Sequence, residues 1–402
     1  MRPLTIPGEP SLAPPWPLLP VAAALVAAWA ILAWPWLSGA VTIPWDAKAH
    51  FQPQIQFLAH SLAKGESPFW APYVFSGHPQ VADPQSLIFS PPFLLLALAD
   101  PSPTLWAVDT TVYLATLAGA LALVVWFRDR GWHWAGALVA ALGFGFGAAM
   151  AWRIQHTGQV LSLAYLPIVL LLLDRALVRR SAGYGAAAGL VAAAMVLGRD
   201  QVALLGVYLL AGHVVWHWLA AARPAAEFGA TLRPLAAGGI TGALVIALPV
   251  LMTALVAAQS NRPEIDFIGA GRGSLHPALL LTLVAPDVFG SSGEMERYWG
   301  PPSMVWQGTD LFIAQNVGQL YIGAVPLVLI LLGAATGVLA HREIRFWLAA
   351  LAAMTIYALG WYTPVFRLMH AALPGVDLYR RPADAVFLIG FTASVLAGYV
   401  AH

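Results

Sequence analysis

The chain has 402 residues, 59% of them apolar and only 10% charged, where a soluble domain carries about 25% charge. So little charge cannot cover a water-soluble fold, and composition excludes a soluble globular protein in favour of an integral membrane protein. The net charge of +1 gives no sign of a nucleic-acid partner and none is expected; the lack of cysteine excludes disulfides and thiolate metal sites.

The N-terminal stretch MRPLTIPGEPSLAPPWP holds one Arg and repeated prolines. The apolar run that follows it, Leu18–Ala40, is longer than a secretory signal core and lacks a clear cleavage site, so it reads as a retained first span. A spanning helix needs about 20 apolar residues. On that measure ten spans are expected: Leu18–Ala40, Thr104–Phe127, Trp134–Ala151, Val160–Leu177, Ala182–Leu197, Val202–Ala221, Leu235–Ala258, Leu320–Ala340, Phe346–Trp361 and Ala385–Ala401. Ser86–Ala99, interrupted by Pro91-Pro92, and Pro277–Ala285 read as re-entrant or interfacial segments. The expected fold is an all-α polytopic membrane protein, with residues 1–402 as one transmembrane domain. The 17 Trp suit long membrane–water interfaces.

With the N-terminus in the cytoplasm, Arg128, Arg130, Arg179, Arg180, Arg223, Arg233, Arg342 and Arg345 all fall in cytoplasmic connections, as the positive-inside rule asks. The opposite side carries most of the acidic residues and nearly all the complex sequence, above all the outer loops 41–103 and 259–319. Function is therefore expected on the outer face, close to the membrane. The Gly- and Ala-rich spans, such as Ala186–Met195, read as close helix packing.

The first outer loop opens Ile43-Pro44-Trp45-Asp46-Ala47-Lys48-Ala49-His50. Pro44 marks a helix start near Trp45 or Asp46. On that helix Asp46, His50 and Gln54 would share one face, with Ile55, Leu58, Ala59 and Leu62 on an apolar side that lies along the membrane surface. Asp46 has two readings, a first-turn acid favoured by the helix dipole or a carboxylate that takes a proton, with His50 as partner. Further on stands GHPQVADPQS, Gly77 to Ser86. Each Pro there restrains the residue before it, which holds His78 and Asp83 in a rigid polar loop with Gln80 and Gln85. Asp83 reads either as an Asx-type turn residue or as a ligand contact. Asp46, His50, His78 and Asp83 are adequate in type for a divalent ion, but their spacing matches no compact metal motif; no cofactor is assigned, and a divalent metal stays the open alternative.

Three other outer positions place cations at the membrane boundary: Arg153 with His156 in WRIQHTGQ, Arg199-Asp200 in GRDQ, and Arg380-Arg381 in LYRRP. Arg suits a phosphate through bidentate hydrogen bonds. Snorkelling to headgroups or pairing with an acid such as Asp200 or Asp384 is the other reading. In the loop 259–319, Gly290-Ser291-Ser292-Gly293 and Tyr298-Trp299-Gly300-Pro301-Pro302 suggest a lid or acceptor platform, with Trp299 and Trp306 as sugar-stacking or anchoring rings.

A first span, an acid a few residues later, surface helices and then many spans resemble membrane glycosyltransferases of the GT-C class. The run DAKAHFQPQIQFLAHSLAKGESPFWAPYVFSGHPQVADPQSLIFSPP is similar to the opening of YfhO-type bacterial membrane proteins, and Tyr321–Leu332 and Tyr379–Gly398 are similar to later landmarks of that family. The resemblance implies sugar transfer from a polyprenyl-phosphate donor to an envelope polymer or lipid acceptor, on the outer face of the bacterial cytoplasmic membrane. It makes Asp46 the base, with His50, His78, Asp83, Gln85, Arg153, His156, Arg199, Asp200, Arg380 and Arg381 as substrate-binding candidates. Many such proteins continue beyond the position of His402, so a fragment or a short member is expected. The rival readings are a lipid-linked sugar transporter and a non-catalytic envelope assembly protein.

Overall fold

The computed structural model describes residues 16–74, 76–198, 200–259, 265–290, 297–306 and 315–402. It is 75% helix, with no strand among the described residues. In chain order the helices are α1 (Leu18–Leu32), α2 (Trp34–Leu37), α3 (Gln52–Lys64), α4 (Pro91–Ala99), α5 (Leu105–Asp129), α6 (Trp134–Phe146), α7 (Ala148–Trp152) and α8 (Thr157–Arg179). They continue with α9 (Ala182–Val196), α10 (Gln201–Ala220), α11 (Pro224–Ala258), α12 (Phe267–Gly271), α13 (Ala324–Ala335), α14 (Arg345–Leu359), α15 (Pro364–Ala372) and α16 (Val386–Ala401).

Among the described residues, seven stretches are long and apolar enough to cross a membrane: Leu105–Asp129, Trp134–Trp152, Thr157–Arg179, Gln201–Ala220, Pro224–Ala258, Arg342–Tyr362 and Pro382–Ala401. The protein is an α-helical membrane protein. Three shorter apolar helices, α1, α9 and α13, occupy the other hydrophobic runs of the sequence.

Proline explains where helices depart from those runs. The Pro35 ring has no N–H and would collide with the carbonyl four residues back, so α1 stops at Leu32 and the chain restarts as α2 with Pro35 in its first turn. Pro91-Pro92 does not interrupt a helix but opens α4, where missing N–H groups cost nothing. Pro224 likewise opens α11, so most of the connection expected at Ala222–Pro234 is helical.

One compact unit comprises Met1–Ala22, Leu123–Arg153 and Pro263–His402. Its centre is α16; 94% of the most apolar window in Pro382–Ala401 is buried, against α6, α7, α13 and α14. Lipid tails are as apolar as leucine, so such a helix is held by close packing rather than by expulsion of water. Gly136 of α6 and Gly398 of α16 meet backbone to backbone, and a Cβ on either would collide with the other's carbonyl. Beside them Trp126, Phe127, Trp132 and Trp347 pack edge to face at centroid distances from 4.9 to 5.6 Å.

The other unit comprises Ala23–Ala122 and Ile154–Arg262. Here α9 lies against both α8 and α11. Its Gly185 and Gly189 press on the backbone of Pro234 and Gly238 in α11, where no side chain would fit. Asp174 of α8 and His213 of α10 are both buried and lie 2.7 Å apart, joining those two helices.

Candidate functional site

The loop 41–103 belongs to the second unit and is tied down on the start of α5. The buried Asp109 carboxylate accepts the Ile43 N–H at 2.8 Å. The Trp106 indole donates to the Leu37 carbonyl at 2.8 Å. The side-chain amides of Gln52 and Gln56 donate to the Pro103 carbonyl at 3.4 and 3.3 Å. Between these anchors Trp45 takes a left-handed backbone with φ 57°, a conformation that costs a non-glycine residue about 1–3 kcal/mol and is commonest at functional sites. A π-helical turn, Ala47–Phe51, follows, with Asp46 at its N-terminal flank; such turns too concentrate at functional sites.

Asp46 is well exposed, and its carboxylate comes within 3.9 Å of His156 Nδ1 at the head of α8. That spacing is ion-pair range, longer than a hydrogen bond. The expected pairing of Asp46 with His50 is not formed. His50 instead shares a 3.1 Å hydrogen bond with Gln54, one helical turn on. A π-turn carries more residues per turn than an α-helix, so a four-residue spacing across Asp46 and His50 no longer returns to the same face. The apolar side of α3 is also differently employed: Leu58 and Ala59 are buried against Ile88 and Ala97 of the same loop, so protein covers part of the side expected to face the membrane.

The segment holding GHPQVADPQS is folded on itself. Ala71 and His78 exchange backbone hydrogen bonds, both 2.8 Å, in an antiparallel bridge. Asp83 takes the turn geometry and adds a contact to His78. One oxygen accepts the Gln85 N–H at 2.8 Å, an Asx turn, while the other faces His78 Nε2 at 3.1 Å. Ser86 Oγ donates within the same turn to the carbonyls of Gln80 and Asp83 at 2.6 and 2.9 Å. Gln80 is buried, and the Gln85 side chain is exposed.

The cations divide. In the first unit Arg153 is wholly buried, paired with Asp384 at 2.6 Å, and its guanidinium lies 4.8 Å from the Phe387 ring centroid. Arg380 and Arg381 are exposed, with the Arg381 N–H donating to the Arg272 carbonyl at 2.8 Å. In the second unit Asp200 caps α10, accepting the Ala203 N–H at 2.9 Å and the Ser162 hydroxyl at 2.6 Å. Arg199 lies outside the described residues, as do parts of the loop 259–319. Of that loop's rings, Trp299 is exposed and its carbonyl accepts the Trp306 indole N–H at 3.0 Å. His276 caps the turn Pro277–Leu283 through a 3.2 Å bond from the Ala278 N–H, and burial lowers its pKa below the ordinary histidine value.

Asp109 and the Asp174–His213 pair went unread in the sequence, although a lone ionisable residue inside an apolar run was the available signal. Among the described residues no group of three or more His, Asp or Glu could hold a metal ion; Asp46 with His156, and His78 with Asp83, are pairs. No family model matches the chain, and no curated protein or solved structure matches it.

Proposed function

We propose that the protein is a membrane glycosyltransferase of ten spans in the bacterial cytoplasmic membrane, with its N-terminus in the cytoplasm. It moves a hexose from a polyprenyl-phosphate donor to an envelope polymer or lipid acceptor at the outer face. The observation that carries this reading is Asp46: an exposed carboxylate on a strained, anchored backbone, within 3.9 Å of His156. The likeness of the first loop to YfhO-type proteins supports the substrate class.

In the proposed step the acceptor hydroxyl oxygen attacks the anomeric carbon as Asp46 takes its proton. The bond from that carbon to the donor phosphate breaks, and the phosphate leaves with the electron pair, inverting the centre. His156 lies close enough to orient Asp46 and to stabilise its charge. Arg199 is the proposed partner of the departing phosphate, where fixed positive charge lowers the barrier most. His50, His78, Asp83 and Gln85 would hold sugar or acceptor, and Asp200 would orient the segment that bears Arg199. Arg153, already held by Asp384, is read as structural; Arg380 and Arg381 remain candidates for lipid phosphate. GT-C resemblance admits a metal, but the described donor pairs do not fit one and no step is routed through it.

The test is transfer of label from undecaprenyl-phosphate hexoses to crude envelope acceptor by the protein in lipid. General-base catalysis contributes about 10²–10⁴-fold, so Asp46→Asn should lose that factor and remain folded, with EDTA without effect. Undiminished turnover in Asp46→Asn would remove Asp46 from the mechanism. Labelled lipid that binds and is never consumed would instead assign the protein to transport or assembly.

A further inference from the structure

Trp70 is an exposed ring with a rigid seat. The residue is more than half exposed, at 55%. The indole lies directly on Gly77, where a Cβ would overlap the ring and where φ is 115°, a backbone that side-chain-bearing residues rarely adopt. The next residue, His78, is fixed by the bridge to Ala71, the neighbour of Trp70. The loop therefore presents a flat aromatic face beside the His78–Asp83 pair on one closed turn.

The polar pair has a defined sense. With Asp83 accepting from His78 Nε2 at 3.1 Å, the proton of a neutral imidazole sits on Nε2 and its lone pair on Nδ1. His78 is about a third exposed, with a side-chain exposure of 32%. Its Nδ1 is thus able to accept from a ligand O–H, next to an aromatic plane.

We propose that Trp70 and His78, held by Gly77 and Asp83, form a subsite for a hexopyranose ring. The C–H face of a pyranose stacks on the indole while a ring hydroxyl donates to His78 Nδ1. A lipid tail would cover the indole but leave the His78 acceptor unmatched, a mismatch that costs binding. This subsite rests on the sugar-transfer reading for its biological ligand, but its binding chemistry is tested without transfer.

The full chain, labelled with 5-fluorotryptophan and placed in nanodiscs, gives a ¹⁹F signal for Trp70 that Trp70→Phe identifies. It is titrated with the methyl glycosides of glucose, galactose, mannose and N-acetylglucosamine, and separately with headgroup spin-labelled phosphatidylcholine. The subsite requires a saturable shift of the Trp70 signal by at least one glycoside. His78→Ala should weaken that binding about tenfold, the factor equivalent to 1.4 kcal/mol, and Gly77→Ala, which unseats the ring, should do the same. No shift with any glycoside, or broadening by spin-labelled lipid alone, overturns the proposal and makes Trp70 a bilayer anchor. A sugar shift without transfer would sink the transferase reading and leave the subsite standing. Transfer with an unchanged KM in Trp70→Ala would do the reverse.

Discussion

Arg153 and Asp384 offer the sharpest test of the packing. The Arg153 side chain is 0% exposed and that of Asp384 6%, with 2.6 Å between them. Replacing Asp384 by Ala leaves a guanidinium buried without its carboxylate, and breaking such a pair from one side costs about 3–5 kcal/mol. The Phe387 ring beneath the cation offsets some of this, since a desolvated cation–π contact is worth about 2 kcal/mol. The expected net loss in Asp384→Ala is therefore about 1–3 kcal/mol. Removing both charges, as Arg153→Met with Asp384→Leu, should recover most of the loss, because well-packed apolar residues often replace a buried pair without penalty. The assay is unfolding in mixed dodecylmaltoside and dodecylsulfate micelles, followed by circular dichroism, for both single variants and the double. A loss below about 1 kcal/mol in Asp384→Ala, or a coupling below about 0.5 kcal/mol across the cycle, would refute the buried pair. It would also return Arg153 to the phosphate-binding candidates.

Gly189→Leu should push α9 from α11 and cost about 1–3 kcal/mol by overpacking, whereas Gly239→Ala, with open space around its Cα, should gain roughly 0.5–1 kcal/mol from helix propensity; equal effects in the same unfolding assay would dissolve the glycine seam. Asp109→Ala strands the Ile43 N–H, a penalty of about 1–3 kcal/mol, and should raise hydrogen exchange across residues 41–51. Asp109→Asn keeps an acceptor and should preserve protection there. His276 has a folded pKa below its ordinary 6.5, so the unfolded chain binds a proton that the fold refuses. Its contribution is fully present above pH 6.5 and is lost as pH falls through that value towards the lowered one. Thermal midpoints between pH 7.5 and pH 5.5 should therefore fall further in the native chain than in His276→Asn.

The apolar helices were legible because hydropathy is a local property. Each apolar run holds a helix, and the errors lie at ends that proline decides, at Pro35, Pro91 and Pro224. The rigidity of GHPQVADPQS was legible for the same reason, since X-Pro restriction acts on the neighbouring residue. The left-handed Trp45 was not, because no glycine marks it; the turn is imposed by the Asp109 anchor on Ile43, a contact 66 positions away. The approach of His156 to Asp46 spans an even longer separation and leaves no periodic trace in either segment. Asp109 and Asp174 sit inside apolar runs, where one carboxylate barely alters a window average.

The helix α11 carries a consequence for the membrane itself. Its 35 residues, at 1.5 Å each, extend about 52 Å, while a hydrocarbon core is about 30 Å thick. Only 6% of its most apolar window is buried in protein. A rod so long and so bare must lean, or else carry turns out beyond the lipid tails, and either response changes with bilayer thickness. Its grips lie in its first half, in the glycine seam with α9 and in the bonds of Glu227 to Arg180 and His217 and of Thr231 to Trp218, so the second half is the part on which lipid composition acts.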